Sequence, residues 1–324
     1  MKNNKLNLIL TCVLFFAFLG SLCAGSASLS VSKIINDFSS QDFAIFFHLR
    51  LPRTVLALIA GGTLALCGAA MQGYLKNPLA EPATLGITGG ATLGAVIVIY
   101  FGMASSLIFA LPLGGLSGAL LSALLIFILA PGLTPLSLIL AGIAFNAFAL
   151  ALTATLLNLA PNPFSILEII FWQMGSVAHR SWEDIFLILP FLFTGLLMLN
   201  STARDLEALS LGDETAESMG VNRKRLSLIL LFALALCVGA VVSVCGGIGF
   251  VGLVVPHLLR PFVKHHPKKL LWSSFLGGAL LLILADTLVR ILPFGTELKL
   301  GVVTSFIGAP FFLFLLLKTK RFWA

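Results

Sequence analysis

Residues 49–94 read LRLPRTVLALIAGGTLALCGAAMQGYLKNPLAEPATLGITGGATLG and carry the strongest structural signal in this chain. One apolar run follows Arg53 and ends near Gln72, and a second begins after Pro82. Between them stands the polar, proline-bounded hexapeptide Asn77-Pro78-Leu79-Ala80-Glu81-Pro82. Backbone that is neither helix nor closed barrel is tolerated at membrane depth only where it is buried in protein or lines a water-filled path. The hexapeptide is therefore predicted to form part of a conduit.

The composition indicates an integral membrane protein. Hydrophobic residues make up 59% of the 324 residues and charged residues 10%, and the mean hydropathy is +1.06. A soluble globule of this size needs more polar surface than this chain can supply. The formal net charge of +7 comes from short basic clusters between apolar runs. That pattern indicates membrane topology and gives no support to a nucleic-acid partner.

Ten apolar runs are long enough to cross, or nearly cross, a hydrocarbon core. They lie near residues 6–26, 53–75, 85–101, 107–130, 136–159, 185–201, 226–244, 249–263, 270–292 and 299–317. We expect an all-α, polytopic membrane protein, with residues 1–324 forming a single transmembrane domain. The eighth run opens at Gly246-Gly247-Ile248-Gly249-Phe250 and contains Pro256, so part of it is expected to be broken helix.

The distribution of Lys and Arg predicts an even number of spans with both termini in the cytoplasm, because cytoplasmic loops hold the excess of basic residues. The basic residues placed inside are Lys2, Lys5, Lys76, Arg204, Arg223, Lys224, Arg225, Lys264, Lys268, Lys269, Lys318, Lys320 and Arg321. Those placed outside are Lys33, Arg50, Arg53, Arg180, Arg290 and Lys299. The first run has a rival interpretation as a cleaved signal peptide, since small residues follow it at Ala24-Gly25-Ser26-Ala27.

One hydrophilic block, residues 202–225, lies on the predicted cytoplasmic side. Within it, Asp213 to Met219 is predicted to form a helix of about two turns, bounded by Gly212 and Gly220. Two interpretations stay open from composition alone. The helix is either a docking element for a soluble cytoplasmic partner or part of a solvated loop.

The chain shows no sign of enzyme chemistry. It has no G-x-x-x-x-G-K-[S/T] loop to hold ATP phosphates, and no paired carboxylates, nucleophile–base set or metal-ligand constellation emerges. We predict no catalytic residue, no metal site and no cofactor on this chain.

Several motifs, taken in order, resemble the permease subunits of bacterial ABC importers for iron chelates, haem and vitamin B12, the FecCD-type family. The motifs are Arg50-Leu51-Pro52-Arg53, Gly68 to Gln72, Asn77 to Pro82 with Leu85-Gly86, Ala141-Gly142-Ile143-Ala144, Trp172 with Gly175-Ser176, Leu211-Gly212-Asp213-Glu214, Gly249-Phe250-Val251-Gly252-Leu253 with Pro256-His257, Asp286 with Arg290, and Gly308-Ala309-Pro310-Phe311. Each motif is weak alone, but the ordered set covers nearly the whole chain.

The resemblance implies a homodimeric permease of a bacterial inner membrane that works by alternating access. Two cytoplasmic ATPase subunits, which bind ATP and Mg, would drive it, and an extracytoplasmic binding protein would deliver an iron chelate. Residues 172–176 and 181–184 look more like the siderophore and haem members than the B12 member. A ferric siderophore is therefore the expected substrate, with haem or vitamin B12 as alternatives.

The resemblance also assigns roles to residues at three places. Arg50, Arg53 and Arg290 match arginines that dock acidic residues of the binding protein; a planar guanidinium meets a carboxylate bidentately. Alternatively, Arg50 and Arg53 anchor a helix end at the headgroups, and Arg290 pairs with Asp286 four residues earlier.

Asn77 and Leu79 match the cytoplasmic gate, and Pro135 and Leu136 stand in the opposing loop, where they would make the constriction more apolar. Residues 204–225 hold the coupling-helix segment that would contact the ATPase. Its matching residues are Leu209, Leu211, Gly212, Asp213, Glu214, Ala216, Met219 and Gly220.

A rival from a different class is an ion-coupled secondary transporter. Such a protein needs ionisable residues near the membrane midplane. Asp286 is the main candidate, and it lies close to Arg290.

Overall fold

The structure is a computed structural model that describes residues 2–25, 29–30, 34, 36–107, 109–292 and 297–320. Throughout these ranges the regular elements are helical and no strand occurs, which confirms the predicted all-α class. Lys33 and Arg321, used in the topology argument, lie outside the described residues, as do Ser26 and Ala27 of the predicted cleavage region.

The α-helices are numbered in chain order. They are Lys2–Cys23 (α1), Gln41–Ile45 (α2), Leu51–Tyr74 (α3), Ile87–Tyr100 (α4), Met103–Ser106 (α5), Ala110–Leu129 (α6), Pro135–Asn158 (α7), Pro163–Gln173 (α8), Trp182–Ser201 (α9), Ala203–Ser210 (α10), Asp213–Ser218 (α11), Arg223–Cys245 (α12), Val251–Leu259 (α13), Pro267–Ile291 (α14) and Leu300–Lys320 (α15). A π-helical turn, Phe46–Arg50, joins α2 to α3, and short 3-10 turns occupy Pro82–Leu85 and Pro131–Leu133.

The described helices account for all ten predicted runs. Seven are long and apolar enough to span a bilayer: Lys5–Cys23, Gln41–Tyr74, Ala110–Leu129, Pro135–Asn158, Trp182–Ser210, Arg223–Cys245 and Pro267–Ile291. Two shorter apolar helices cover Ile87–Tyr100 and Leu300–Phe314, and the nine-residue α13 accounts for the eighth run.

Helix α3 stands at the centre of the bundle. The most apolar window of the span that contains α3 is 83% buried, against 11% for the window in α1. Protein therefore surrounds α3, whereas most of the surface of α1 lies on the outside of the bundle. Small residues allow this burial: the Cβ of an alanine at Gly61 would lie 2.2 Å from the carbonyl oxygen of Gly278 in α14. Such close backbone approach is the usual basis of helix association in membranes.

Helices α4 and α6 cross through two facing glycine pairs with four-residue spacing. A Cβ at Gly94 would lie 2.1 Å from the Gly114 oxygen, and one at Gly118 would lie 2.1 Å from the Gly90 oxygen. The crossing therefore leaves no room for a methyl group at these positions.

We expect Gly118→Ala to destabilise the protein by about 2 kcal/mol or more, because the added methyl group forces apart two packed backbones. Thermal unfolding in detergent measures the effect. Gly20→Ala is the matched control: Gly20 lies in α1, where no described atom comes within 4 Å of the position that a Cβ would occupy. There alanine should be neutral or slightly stabilising through its helix propensity. Equal unfolding temperatures for the two variants would contradict the close crossing.

Residues 246–250 interrupt the helical path between α12 and α13. Gly246 has a left-handed φ of 72°, and a Cβ there would lie 2.1 Å from the Trp172 carbonyl oxygen. Phe250 is also left-handed, at φ 65°, and α13 begins directly after it. This confirms the predicted broken helix in the eighth run.

The broken segment meets α8 and α15. The Ser176 N–H donates to the Cys245 oxygen at 2.7 Å, and the Gly301 N–H donates to the Met174 oxygen at 3.1 Å. Helix α8 itself was not anticipated from the sequence, because eleven residues fall short of a membrane span. Its local signal is present nonetheless: the Asn162 side chain accepts from the Ser165 N–H at 2.9 Å, and Pro163 occupies the first turn.

Candidate functional site

A buried ion-pair cluster ties the start of α3 to the end of α14. The Arg53 guanidinium donates from Nε to Asp286 Oδ1 and Oδ2 at 2.9 and 3.1 Å, and from Nη2 to Oδ1 at 2.8 Å. Arg290 Nη2 lies 3.0 Å from Asp286 Oδ2, the pairing expected for residues four apart. Asp286 is only 1% exposed. Two guanidinium groups thus compensate one buried carboxylate, and Arg53 also contacts Glu297 at 2.6 Å.

Two of the predicted docking arginines cap the end of α1. Arg50 Nη1 donates to the Leu22 and Cys23 carbonyl oxygens at 3.0 and 2.9 Å. Arg290 Nη1 donates to the Ser21 and Ala24 oxygens at 2.9 and 3.2 Å, and Arg290 Nη2 also contacts Ser21 Oγ. The last carbonyl groups of a helix have no intrahelical partners and favour cations. These arginines therefore fasten α1 to the bundle.

All three arginines line one large cavity at this end of the protein, with a volume of about 1100 Å³. Its most accessible basic groups are not the three predicted ones: Arg50 is 6% exposed, whereas His48 and His179 are exposed and Arg180 is half-buried. Arg180 has no ion-pair partner among the described side chains. Sequence reasoning placed Arg180 on this face by its charge, but did not single out either histidine as a site residue. The docking role of Arg50, Arg53 and Arg290 stays a prediction.

The hexapeptide forms a compact turn beyond α3. Asn77 Oδ1 accepts from the Leu79 N–H at 2.9 Å, and the Ala80 N–H donates to the Asn77 oxygen at 3.2 Å. The 3-10 turn Pro82–Leu85 follows, and Gly86, at a φ of 71°, leads into α4. The predicted gate residues Asn77 and Leu79 are both half-buried.

The opposing predicted gate residues stand at the start of α7. Pro135 is half-buried in the first turn, Thr134 caps that turn by accepting from the Ser137 N–H, and Leu136 is 67% exposed. The end of α3 reaches this region through Tyr74, whose hydroxyl donates to the Leu133 oxygen at 3.0 Å and contacts Ser227 Oγ. The structure therefore places the two segments at the same end of the bundle, and their gating role remains a prediction.

The coupling segment has the helix that the sequence predicts. Helix α11 begins after Gly212 and ends at Ser218, and Gly220 has a left-handed φ of 85°. The Val221 N–H donates to the Ala216 oxygen at 3.0 Å and the Gly220 N–H to the Glu217 oxygen at 2.9 Å. This pair of bonds is a Schellman motif, in which glycine adopts the left-handed conformation at low cost.

Side chains of the coupling segment divide into buried anchors and an exposed surface. Leu209 and Ala216 are buried, at 3% and 0% exposure, whereas Leu211 and Met219 are 64% and 61% exposed. Glu214 is exposed as well. Leu211, Glu214 and Met219 are therefore the side chains of this segment that are available for contact with another protein.

Ion pairs hold α11 against the rest of the protein. Asp213 Oδ1 lies 2.5 Å from Lys76 Nζ and 2.9 Å from Arg223 Nη2, and Glu217 Oε1 lies 3.0 Å from Arg223 Nε. The hydrogen bond from Lys76 is the largest cause that lowers the pKa of Asp213 below its usual value. The carboxylate is therefore charged at neutral pH, and the Lys76 bridge persists well into mild acid.

An apolar groove of about 550 Å³ runs along the first half of α15, beside the broken segment. Within the described ranges, no charged side chain lines it. Its residues are Gln173, Met174, Gly247, Gly249, Gly301, Val302, Ser305, Phe306, Ala309, Pro310 and Leu313. Among the residues that the structure describes, no group of three or more His, Cys, Asp or Glu side chains is placed to hold a metal ion.

The chain folds as a helical bundle with seven candidate membrane spans among the described residues and an interrupted path between α12 and α13. The sequence model of the FecCD transport family matches residues 13–318. The chain belongs to the FecCD transport family.

Individual relatives match over nearly their full length. The chain is 40% identical to the hemin transport system permease protein HmuU of Yersinia pestis, over 94% of this chain and 92% of that protein. It is 37% identical to the iron(3+)-hydroxamate import system permease protein FhuG of Bacillus subtilis (strain 168), over 96% and 95%. A solved structure described as an inward-facing conformation of a metal-chelate type ABC transporter is 31% identical, with a TM-score of 0.88 over 97% of this chain and 99% of that one.

These similarities define the class of the protein. It is a multi-pass membrane permease of a bacterial-type ABC importer for iron chelates, haem or vitamin B12, and not an enzyme.

Proposed function

We propose that this permease moves a ferric siderophore from an extracytoplasmic binding protein into the cytoplasm. The observation that carries the proposal is the apolar groove beside the broken segment, together with the similarity to a hydroxamate permease. A bulky chelate passes best along small and apolar side chains, because strong charges would retain it. Haem is the principal alternative, since a hemin permease is 40% identical, and vitamin B12 is the second.

The proposed assembly is a homodimer with two cytoplasmic ATPase subunits that bind ATP and Mg, and with no cofactor on this chain. The exposed side chains of Leu211, Glu214 and Met219 support an ATPase contact at α11. Both termini would then lie in the cytoplasm, on the same side as α11. The basic cavity at the opposite end would receive acidic side chains of the binding protein.

A direct link connects the proposed ATPase contact with the proposed gate. Lys76 immediately precedes Asn77, and its ammonium group is bound to Asp213 at the start of α11. Displacement of α11 would therefore pull on the backbone that enters the hexapeptide. Arg50, Arg53 and Arg290 would act at the outer face chiefly by fixing α1, α3 and α14, with their cavity-facing edges turned toward the binding protein.

We expect Lys76→Met to separate ATP hydrolysis from uptake. The bridge is exposed, so its loss should cost well under about 1 kcal/mol of stability. Uptake should nevertheless fall severalfold while ATP hydrolysis by the complex continues, because the gate no longer follows α11. Transport and phosphate release, measured together in proteoliposomes, report both quantities.

Lys224→Met is the control for that variant, since Lys224 is exposed on the same face and forms no ion pair among the described residues. Its uptake should match the unmodified protein. Unchanged uptake in Lys76→Met would show that the bridge has no part in coupling.

The ion-coupled alternative depends on Asp286, and the geometry does not favour it. Its carboxylate is 1% exposed and is paired with the guanidinium groups of both Arg53 and Arg290. A carboxylate that is engaged in this way is less available to bind a transported ion.

The decisive experiment measures uptake of labelled ferric siderophores, haem and vitamin B12 into proteoliposomes that hold this chain, its ATPase and a candidate binding protein. ATP-dependent uptake of one ferric siderophore supports the proposal. ATP-dependent uptake of haem or vitamin B12 alone would show that the substrate is not a siderophore, while the importer function stands. Uptake that follows an imposed ion gradient without the ATPase overturns the proposal.

A further inference from the structure

A cavity with both apolar and basic lining residues lies directly behind the coupling segment, between the end of α3 and the loop that joins α13 to α14. Its volume is about 450 Å³. The lining includes Gln72 of α3, Lys76 just after α3, Gly212 at the start of the coupling helix, and Arg260 and His265 from the α13–α14 loop. Among the residues that the structure describes, no acidic side chain lines it.

Arg260 enters this cavity without a counter-charge. Its Nη2 donates to Gln72 Oε1 at 2.5 Å, a neutral partner. No carboxylate of the described chain lies within ion-pair distance of the guanidinium, and Nε is buried without a hydrogen-bond partner. A partly buried cation that lacks an anion is costly unless one binds. Arg260 therefore lines the cavity as a cation with no anionic partner among the described residues.

Two further basic side chains, His265 and Lys76, line the same space. The loop turns back after Arg260, with the His265 N–H donating to the Arg260 oxygen at 3.1 Å, so that the two side chains line one cavity. Lys76, two residues after the end of α3, is also paired with Asp213, which is not among the lining residues. Glu207 of α10 forms an ion pair with His266 and not with Arg260.

We propose that this cavity binds a phosphate group, held chiefly by Arg260 and assisted by Lys76 and His265. The planar fork of arginine matches phosphate oxygens bidentately, and lysine adds a mobile charge. The phosphate group is either free inorganic phosphate or the headgroup of an anionic phospholipid from the cytoplasmic leaflet, which basic pockets between membrane helices commonly bind. Because Lys76 is also the partner of Asp213, an anion in the cavity competes with the coupling helix for that lysine.

Binding of radiolabelled inorganic phosphate to the purified full-length permease, at fixed ionic strength, tests the proposal. We expect Arg260→Gln to weaken binding about tenfold or more, since a charge-assisted hydrogen bond is lost. Arg260→Lys keeps the charge, loses the fork and should give an intermediate affinity. Arg225→Gln, an equal change at an exposed arginine outside the cavity, should leave binding unchanged.

Asp213→Asn gives a test of opposite sign. Removal of the competing carboxylate frees Lys76, so phosphate should bind more tightly than to the unmodified protein. A purely structural role of Arg260 would produce no such gain. Weaker or unchanged binding in Asp213→Asn would contradict the shared use of Lys76.

Two further experiments identify the source of the phosphate group and the cavity that binds it. Nanodiscs of phosphatidylcholine with and without phosphatidylglycerol distinguish the sources: loss of phosphate binding only with phosphatidylglycerol assigns the cavity to the lipid headgroup. Arg180→Gln tests the basic cavity at the other end of the protein. If phosphate binding is lost in Arg180→Gln and kept in Arg260→Gln, the proposal is overturned. The proposal is also overturned if phosphate does not bind and Arg260→Gln abolishes association with the ATPase. That result would show that an acidic protein side chain occupies the cavity.

Discussion

Asp286→Asn should destabilise the protein by about 3–5 kcal/mol, the largest stability loss that we expect from any single neutral replacement. The substitution keeps the shape of the side chain and removes the charge that compensates Arg53 and Arg290. Both guanidinium groups would then be buried against an amide, with Arg53 retaining only its contact to Glu297. Chemical or thermal unfolding in detergent, followed by loss of helical signal, measures the change.

Glu183→Gln is the control for Asp286→Asn. Glu183 is exposed and has no ion pair in the described part of the chain, so its neutralisation should leave the unfolding midpoint nearly unchanged. The Asp286→Asn variant also distinguishes a structural role of Asp286 from a role in ion coupling. An Asp286→Asn protein that stays as stable as the original and yet loses all uptake would favour ion coupling over the structural role.

Leu211→Arg should abolish ATP-driven uptake while the permease stays folded. Leu211 is 64% exposed, so the substitution removes little buried surface, and surface changes of this kind usually alter stability by less than about 0.5 kcal/mol. At the centre of an ATPase contact, however, a buried charge in place of an apolar anchor should weaken association by about 30-fold or more, the equivalent of a hot-spot loss near 2 kcal/mol. Co-purification of the ATPase and uptake in proteoliposomes provide the two measurements.

Leu159→Arg is the matched control for the coupling prediction. Leu159 is 63% exposed and follows the last residue of α7, whose first turn stands near the coupling end of the bundle. Its replacement introduces the same charge at the opposite end. Retained ATPase binding in Leu211→Arg would exclude this surface as the contact, whatever the effect on uptake.

The sequence predicted the helical spans well, because each depends on local properties. Apolar length marked α3, α12 and α14, and the glycines at 212 and 220 marked the ends of the coupling helix. The broken eighth run was also predictable, from its glycines and Pro256. Helix α8 is not predicted as a span because eleven residues are too short to cross a membrane, although Asn162-Pro163 is a recognisable helix start.

The orientation of side chains was much harder to predict. Arg50 is predicted either to dock the binding protein or to anchor a helix end, and its guanidinium donates to the backbone oxygens of Leu22 and Cys23, which no residue pattern identifies. The Arg53 pair with Asp286 joins residues 233 positions apart, whereas the Arg290 pair, at four residues, was anticipated. Arg260 carried no local signal at all. Its significance depends on the lack of a nearby carboxylate among the described residues, and only the packing of three segments reveals that.

The burial of α3 has a consequence for biosynthesis. This helix leaves the ribosome long before α13 and α14, yet its glycine-rich sides are shaped to touch those later helices. A membrane helix first inserts individually and associates afterwards. During synthesis α3 therefore resides in lipid, with its future protein contacts covered by acyl chains, until the second half of the chain arrives and displaces them. The same helix has to be compatible first with lipid and then with protein, which explains why its tightest backbone contacts with α13 and α14 are made by the glycines Gly68 and Gly61.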